Sequence, residues 1–281
     1  MEKTIDQKVY KFYNEKNEHL HTLEGKPLVG TSGVVKVVSI PLTWWASGHA
    51  VKILGITDPK LITKIKRKTA TKAEIEELKN SVGSKLEEIK LMDVDQFYDL
   101  LDLAYRAHST SLAESADAGT DLHAELERFV KDRIEGFDID KPVKAYHPRI
   151  KPFIEWYTAN VKQPLWSESH CFSREYWLGG ICDFGFIDNK DQVGIMDFKS
   201  AKDAYPAHFW QCAGYDIQFS ENGGFTSDGV KVFDLPKPVS YYAVFPFGMD
   251  HPVPKFDYDV EGCRDAFLAC LLLYKKLNAN N

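Results

Sequence analysis

The sequence predicts an α/β fold: a mixed central β-sheet flanked by helices, with an N-terminal helical wall. Three observations predict it. Apolar residues recur at the helical period between positions 71 and 133. Three strand-like runs then follow one another, at 165–173, 180–188 and 192–200. The remainder alternates helix, strand and helix. With 281 residues, 44% of them hydrophobic and 27% charged, the chain has the composition of a globular protein. A chain of this length buries roughly three quarters of its unfolded surface, enough for a core without staples.

In order, residues 1–26 are polar and are expected to be partly ordered at best. Residues 27–281 are expected to form a single domain, with a hairpin and helical part at 27–118 and a core at 119–281. The β-branched run 29–40, around Gly30 and Gly33, reads as a strand pair or hairpin. Trp44 and Trp45 point in different directions; core packing is the favoured reading, and a base-stacking platform the sharper one for one of them. Residues 60–72 hold Lys60, Lys64, Lys66, Arg67, Lys68 and Lys72 with no acid. A solvated face is the ordinary reading and a phosphate-contacting arm the sharper one. Residues 71–90 and 93–133 read as helical, the second stretch broken in two near Gly119 and Thr120. A loop at 136–148 and a short helix at 149–161 lead into the strands. A helix at 203–220 tolerates Pro206 in its first turn. A strand at 239–247 and an amphipathic helix at 261–277 complete the chain.

Several classes are disfavoured. Cys171, Cys182, Cys212, Cys263 and Cys270 are scattered and contain no C-x-x-C pair, so core thiols are a better reading than zinc or disulfides. The apolar run 266–274 is too short to span a bilayer, and the first residues lack a signal-peptide core, so a soluble, cytoplasmic protein is expected. The net charge of −6 speaks against a protein that coats polyanions, but it leaves room for a local basic cleft.

The informative stretch is Gly180-Ile181-Cys182-Asp183, followed by Asp197-Phe198-Lys199. If Asn189-Lys190-Asp191 closes a hairpin, residue 188 faces 192, and counting back places Asp183 opposite Asp197. Lys199 then shares their face. Two opposed carboxylates repel. A divalent cation held by oxygen ligands would relieve that repulsion, and the lysine could orient or deprotonate a water. Together these could attack a phosphodiester. A surface hairpin with one Asp–Lys pair would explain Asp197 and Lys199, but not Asp183. His123 and Glu127 share a helical face, as do Gln211 and Tyr215. Taken alone, such a histidine is more often a capping or half-buried residue, and such a Gln–Tyr pair is ordinary helix surface.

His123, Gly180-x-x-Asp183, Asp197-x-Lys199 and Gln211-x-x-x-Tyr215 occur in an order that resembles the PD-(D/E)XK nuclease superfamily. The resemblance is to the branch of RecB-type domains, CRISPR-associated exonucleases, the mitochondrial genome-maintenance exonuclease and phage recombination exonucleases. It covers residues 119–219. It implies a restriction-endonuclease-like core and a DNA exonuclease dependent on Mg²⁺ or Mn²⁺, working in phage-type recombination, repair or DNA processing. The partner would be DNA, single-stranded or with free ends, in a bacterial or phage-infected cell, and a single-strand annealing or recombination protein could join it.

Carried over by position, the resemblance makes Asp183 and Asp197 metal ligands, with His123 and the Phe198 carbonyl beside them. Lys199 would position the attacking water, and Glu168 would orient Lys199 or a water. Gln211 and Tyr215 would support the site and touch DNA. If a nuclease is present, Lys64, Lys66, Arg67 and Lys68 become candidate phosphate contacts. The residue before Asp183 is Cys182 rather than proline, and the second acid is aspartate rather than glutamate. No cysteine precedes Cys171, so the iron–sulfur cluster of some relatives is not expected. A non-catalytic DNA-binding protein and an endonuclease are the alternatives.

Overall fold

The structure, a computed structural model, describes residues 10–15, 18–38, 50–53, 55, 56, 58, 60–136 and 146–279; Trp44 and Trp45 lie outside them. It divides into two compact units, Met1–Ser39 with Gly119–Asn281, and Ile40–Ala118.

The first unit is organised by strand alternation. Its strands are β1 (Tyr10–Glu15), β2 (Glu18–Leu23), β3 (Lys26–Pro27), β4 (Val29–Gly30), β5 (Val161–Ser173), β6 (Leu178–Asp188), β7 (Val193–Lys199), β8 (Gly224–Phe225), β9 (Lys231–Phe233), β10 (Val239–Pro246) and β11 (Lys255–Asp257). Helices α1 (Thr31–Val35), α5 (Lys151–Asn160), α6 (Pro206–Asn222) and α7 (Val260–Leu277) belong to it, with the last turns of α4 (Val94–Ile134). The main sheet is mixed, in the order β11-β10-β7-β6-β5-β8-β9, with β4 beside β6. Val193 and Ile195 on β7 face one way, with Phe209 and Phe219 of α6 and Phe267 of α7. Met196 and Phe198, at the intervening positions, face the other way with Leu126 and Phe129 of α4 and Phe153 of α5. Helices therefore cover both faces.

Strands β5, β6 and β7 form an antiparallel meander, and β7 pairs with β10 in parallel, so the chain must cross over between them. Helix α6 and the β8–β9 hairpin occupy that crossover. The β6–β7 register pairs Phe184 with Met196 and Ile187 with Val193, as the turn count predicts. Asp183 and Asp197 are the next residue on each strand beyond that ladder.

Three expectations are corrected. Residues 10–15 and 18–27 are not a loose polar segment but contribute a three-stranded antiparallel sheet. Its Tyr10 and Leu23 are buried against Phe172 and Phe225, and this burial outweighs the polar composition. The run after Val29 is not a hairpin: β4 is two residues long, and α1 follows it, then a 3₁₀ turn at Lys36–Val38. Val34 and Val35 join the core cluster shared by α6 and α7, and tertiary packing overrides their β-preference. Helix α4 runs through Gly119 and Thr120 without a break; a single glycine costs only about 1 kcal/mol in a helix.

In the second unit, α2 (Lys60–Lys66) precedes α3 (Lys72–Lys90). Thr71 and Glu74 close a reciprocal capping box that fixes where α3 begins.

Candidate active site

Three carboxylic side chains lie in one row across three neighbouring strands. Ser167 pairs with Phe184 and Ser169 with Cys182, so Glu168 on β5 stands opposite Asp183 on β6. The β6–β7 ladder runs as far as Phe184 and Met196, and Asp183 and Asp197 are the next residue on each strand. Glu168 has a φ of 49°, in the left-handed region that costs a side-chain-bearing residue about 1 kcal/mol or more. The ladder pairs on either side hold it there.

Burial pushes the Glu168 carboxyl up to about 8, and the charge of Asp183 adds to the effect. Burial also raises Asp197, to about 6, with Lys199 opposing the shift and Asp183 reinforcing it. For Lys199, burial acts to lower its pKa, but the charges of Asp197 and Asp183 outweigh it and hold the ammonium above its ordinary value. The lysine therefore stays charged at neutral pH, and the row carries more acid than its cation balances.

The surrounding contacts fix each group. Lys199 Nζ lies 2.6 Å from Asp197 Oδ2. It also donates to Gln211 Oε1 at 3.3 Å. Gln211 Nε2 donates to Asp197 Oδ1 at 3.1 Å and to the Tyr215 hydroxyl at 2.7 Å. Tyr215 packs onto β6 because Gly180 leaves room: a Cβ there would come within 2.7 Å of its ring. The Phe198 N–H donates to Asp183 Oδ2 at 2.6 Å. His123 Nε2 lies 3.1 Å from the Phe198 carbonyl oxygen and 3.4 Å from Asp183 Oδ2.

The structure thus brings together His123, Glu168, Asp183, Asp197, Phe198, Lys199, Gln211 and Tyr215. Gln211 and Tyr215 are only 6% and 4% exposed. They brace Asp197 and Lys199 from within. Lys64, Lys66, Arg67 and Lys68 belong to the other compact unit, where Lys64 pairs with Glu74 at 2.6 Å.

Among the described residues no three His, Cys, Asp or Glu side chains are gathered into a cage for an ion. Mg²⁺ does not require one: it takes one or two carboxylates and keeps several waters. The donors available to it are Asp183, Asp197, the Phe198 carbonyl and His123, whose Nε2 would have to be free of its proton. The raised carboxyls are the charge imbalance that such a cation would relieve.

A cleft of about 660 Å³ opens beside the row, and Glu168, Ser167, Ser169, Ile181 and Glu127 line it. Sequence reasoning passed over the two serines, because nothing in Ser167-Glu168-Ser169 announces a cleft wall. No helix among the described residues is long and apolar enough to cross a membrane. No protein-family model matches the chain, and no curated protein matches it.

Proposed function

We propose that the chain is a divalent-metal-dependent deoxyribonuclease, hydrolysing phosphodiester bonds at DNA ends on a restriction-endonuclease-like core. The observation that carries this reading is the row Glu168, Asp183, Asp197 on adjacent strands, with the Lys199 ammonium 2.6 Å from the last of them. Asp183, Asp197, the Phe198 carbonyl and His123 would hold Mg²⁺ or Mn²⁺. When bound, that cation supplies charge for the phosphate and acidity for a coordinated water.

The protein's own groups do the rest. Lys199, kept protonated by its acidic neighbours, donates to the attacking water or to a phosphate oxygen and fixes its position. Gln211 holds both Asp197 and Lys199, so the carboxylate and the ammonium cannot drift apart. Glu168 borders the cleft and orients the water at its carboxyl. The alternative is a DNA-binding protein on the same fold that does not cut; the intact Asp183, Asp197 and Lys199 speak against it.

A time course on end-labelled single- and double-stranded linear DNA tests the reading. A closed circle, Mg²⁺, Mn²⁺ or EDTA, and Lys199→Ala serve as controls. Metal-dependent loss of the linear DNA alone, absent in the variant, is expected. Cutting of the circle would make the enzyme an endonuclease. Binding without cutting under any metal would favour the alternative.

A further inference from the structure

We propose that the cleft beside Glu168 is a nucleobase subsite that receives the unpaired base and sugar next to the scissile phosphate. The inference rests on the nuclease reading and adds to it what the enzyme recognises.

Position is the first argument. Glu168 belongs both to the acid row and to the cleft wall. Ile181 precedes Asp183 by two residues, and Glu127 follows His123 by one helical turn. A phosphate at the row would therefore present its neighbouring nucleotide to the cleft.

Size and charge decide which part of the nucleotide enters. A volume of about 660 Å³ falls in the range of roughly 300–1,000 Å³ that encloses one small organic molecule. That is room for a nucleoside, not for a base pair with two backbones. Glu127, Glu135 and Glu168 face Lys131, which is itself ion-paired to Glu127. Such a wall repels phosphate and accepts a neutral, flat group. Ile134, Leu165, Val232 and Phe225 supply the apolar surface for it.

The test uses the full chain carrying Lys199→Ala, so that DNA is bound and not cut. Fluorescence anisotropy compares two short single-stranded oligonucleotides in Mg²⁺, one intact and one abasic at its terminal nucleotides. The intact strand should bind about tenfold more tightly, the scale of one base seated against a protein surface. Adding Ser227→Trp, an exposed position on the cleft wall, should reduce that ratio to near one while the abasic strand binds unchanged. If Ser227→Trp fails to fold by circular dichroism, the comparison of intact and abasic strands on Lys199→Ala alone decides. Equal affinity for the two strands would overturn the subsite, as would equal loss of both in Ser227→Trp. If the wild type cuts DNA and the ratio is one, the subsite fails and the nuclease reading stands. If it cuts nothing and the ratio persists, the nuclease reading fails and the base-binding cleft stands.

Discussion

Asp197 and Asp216 are both buried carboxylates, 1% and 0% exposed, and their surroundings are opposite in kind. Asp216 on α6 accepts from the Tyr242 hydroxyl at 2.6 Å and from Arg264 Nε at 2.9 Å, and its Oδ2 lies 2.7 Å from Arg264 Nη2. The Ser220 hydroxyl adds a bond at 3.1 Å. One carboxylate meets one guanidinium, whose Nε and Nη2 converge on Oδ2, and the charge-assisted contact ties α6, β10 and α7 together. Asp197 has a single lysine and a single amide, and stands in a row with two further acids. The first arrangement balances its charge and serves packing. The second leaves charge unbalanced inside the protein, a cost that is useful only if something cationic or phosphoryl binds there.

The widest gap between the two should appear in catalysis. Asp197→Asn and Lys199→Ala should each slow metal-dependent DNA cleavage by about 10³-fold or more, near 4 kcal/mol, measured as initial rates. A loss under tenfold would mean that the row is not the reacting site. Asp216→Asn should leave the rate per folded molecule within a few fold.

Stability should reverse the ranking. Asp216→Asn strands Arg264 and should cost about 3 kcal/mol in urea unfolding. Asp197→Asn should cost less than half of that, because it also removes repulsion from Asp183. Equal costs would erase the distinction.

The pH dependence sharpens it further. The Glu168 carboxyl is raised to about 8 in the folded chain, above its unfolded value. The folded state therefore holds a proton that the unfolded state releases. The contribution to stability is full below the ordinary carboxylate range and is lost as pH rises through about 8. In EDTA, wild type should lose about 3 kcal/mol relative to Glu168→Gln between pH 5 and pH 8. A parallel pH profile for the two proteins would contradict this.

The smallest effect should be cation binding itself. Mn²⁺ at ten times its dissociation constant should stabilise the wild type by about 1.4 kcal/mol, seen as a rise of a few degrees in Tm. Asp197→Asn should show little of it.

The comparison also marks what the sequence makes legible. The acid row could be counted in advance because a tight turn fixes register, and Asn189-Lys190-Asp191 is such a turn. Gln211 and Tyr215 were visible as an i,i+4 pair, but their direction was not: only the fold shows them turned inward. The Asp216 network was invisible, since Asp216, Tyr242 and Arg264 are far apart in the chain and none is unusual in its local context. The N-terminal sheet was missed because Tyr10 and Leu23 gain their burial from Phe172 and Phe225, more than a hundred residues away. The left-handed backbone at Glu168 leaves no trace in residue type, because glutamate has no preference for it.

The meander also orders events in time. Its three strands run from Val161 to Lys199, nearly unbroken in the chain, whereas Gln211 and the parallel partner β10 come later. Pairings close in sequence form fast, and a parallel crossover waits for the chain between its strands. The carboxyls of the row thus meet before their lysine is braced, and the resulting repulsion falls on the folding barrier as well as on the native state. Refolding should be faster at pH 5 than at pH 8, and Glu168→Gln should remove much of the difference; equal rates at the two pH values would show that the row closes last.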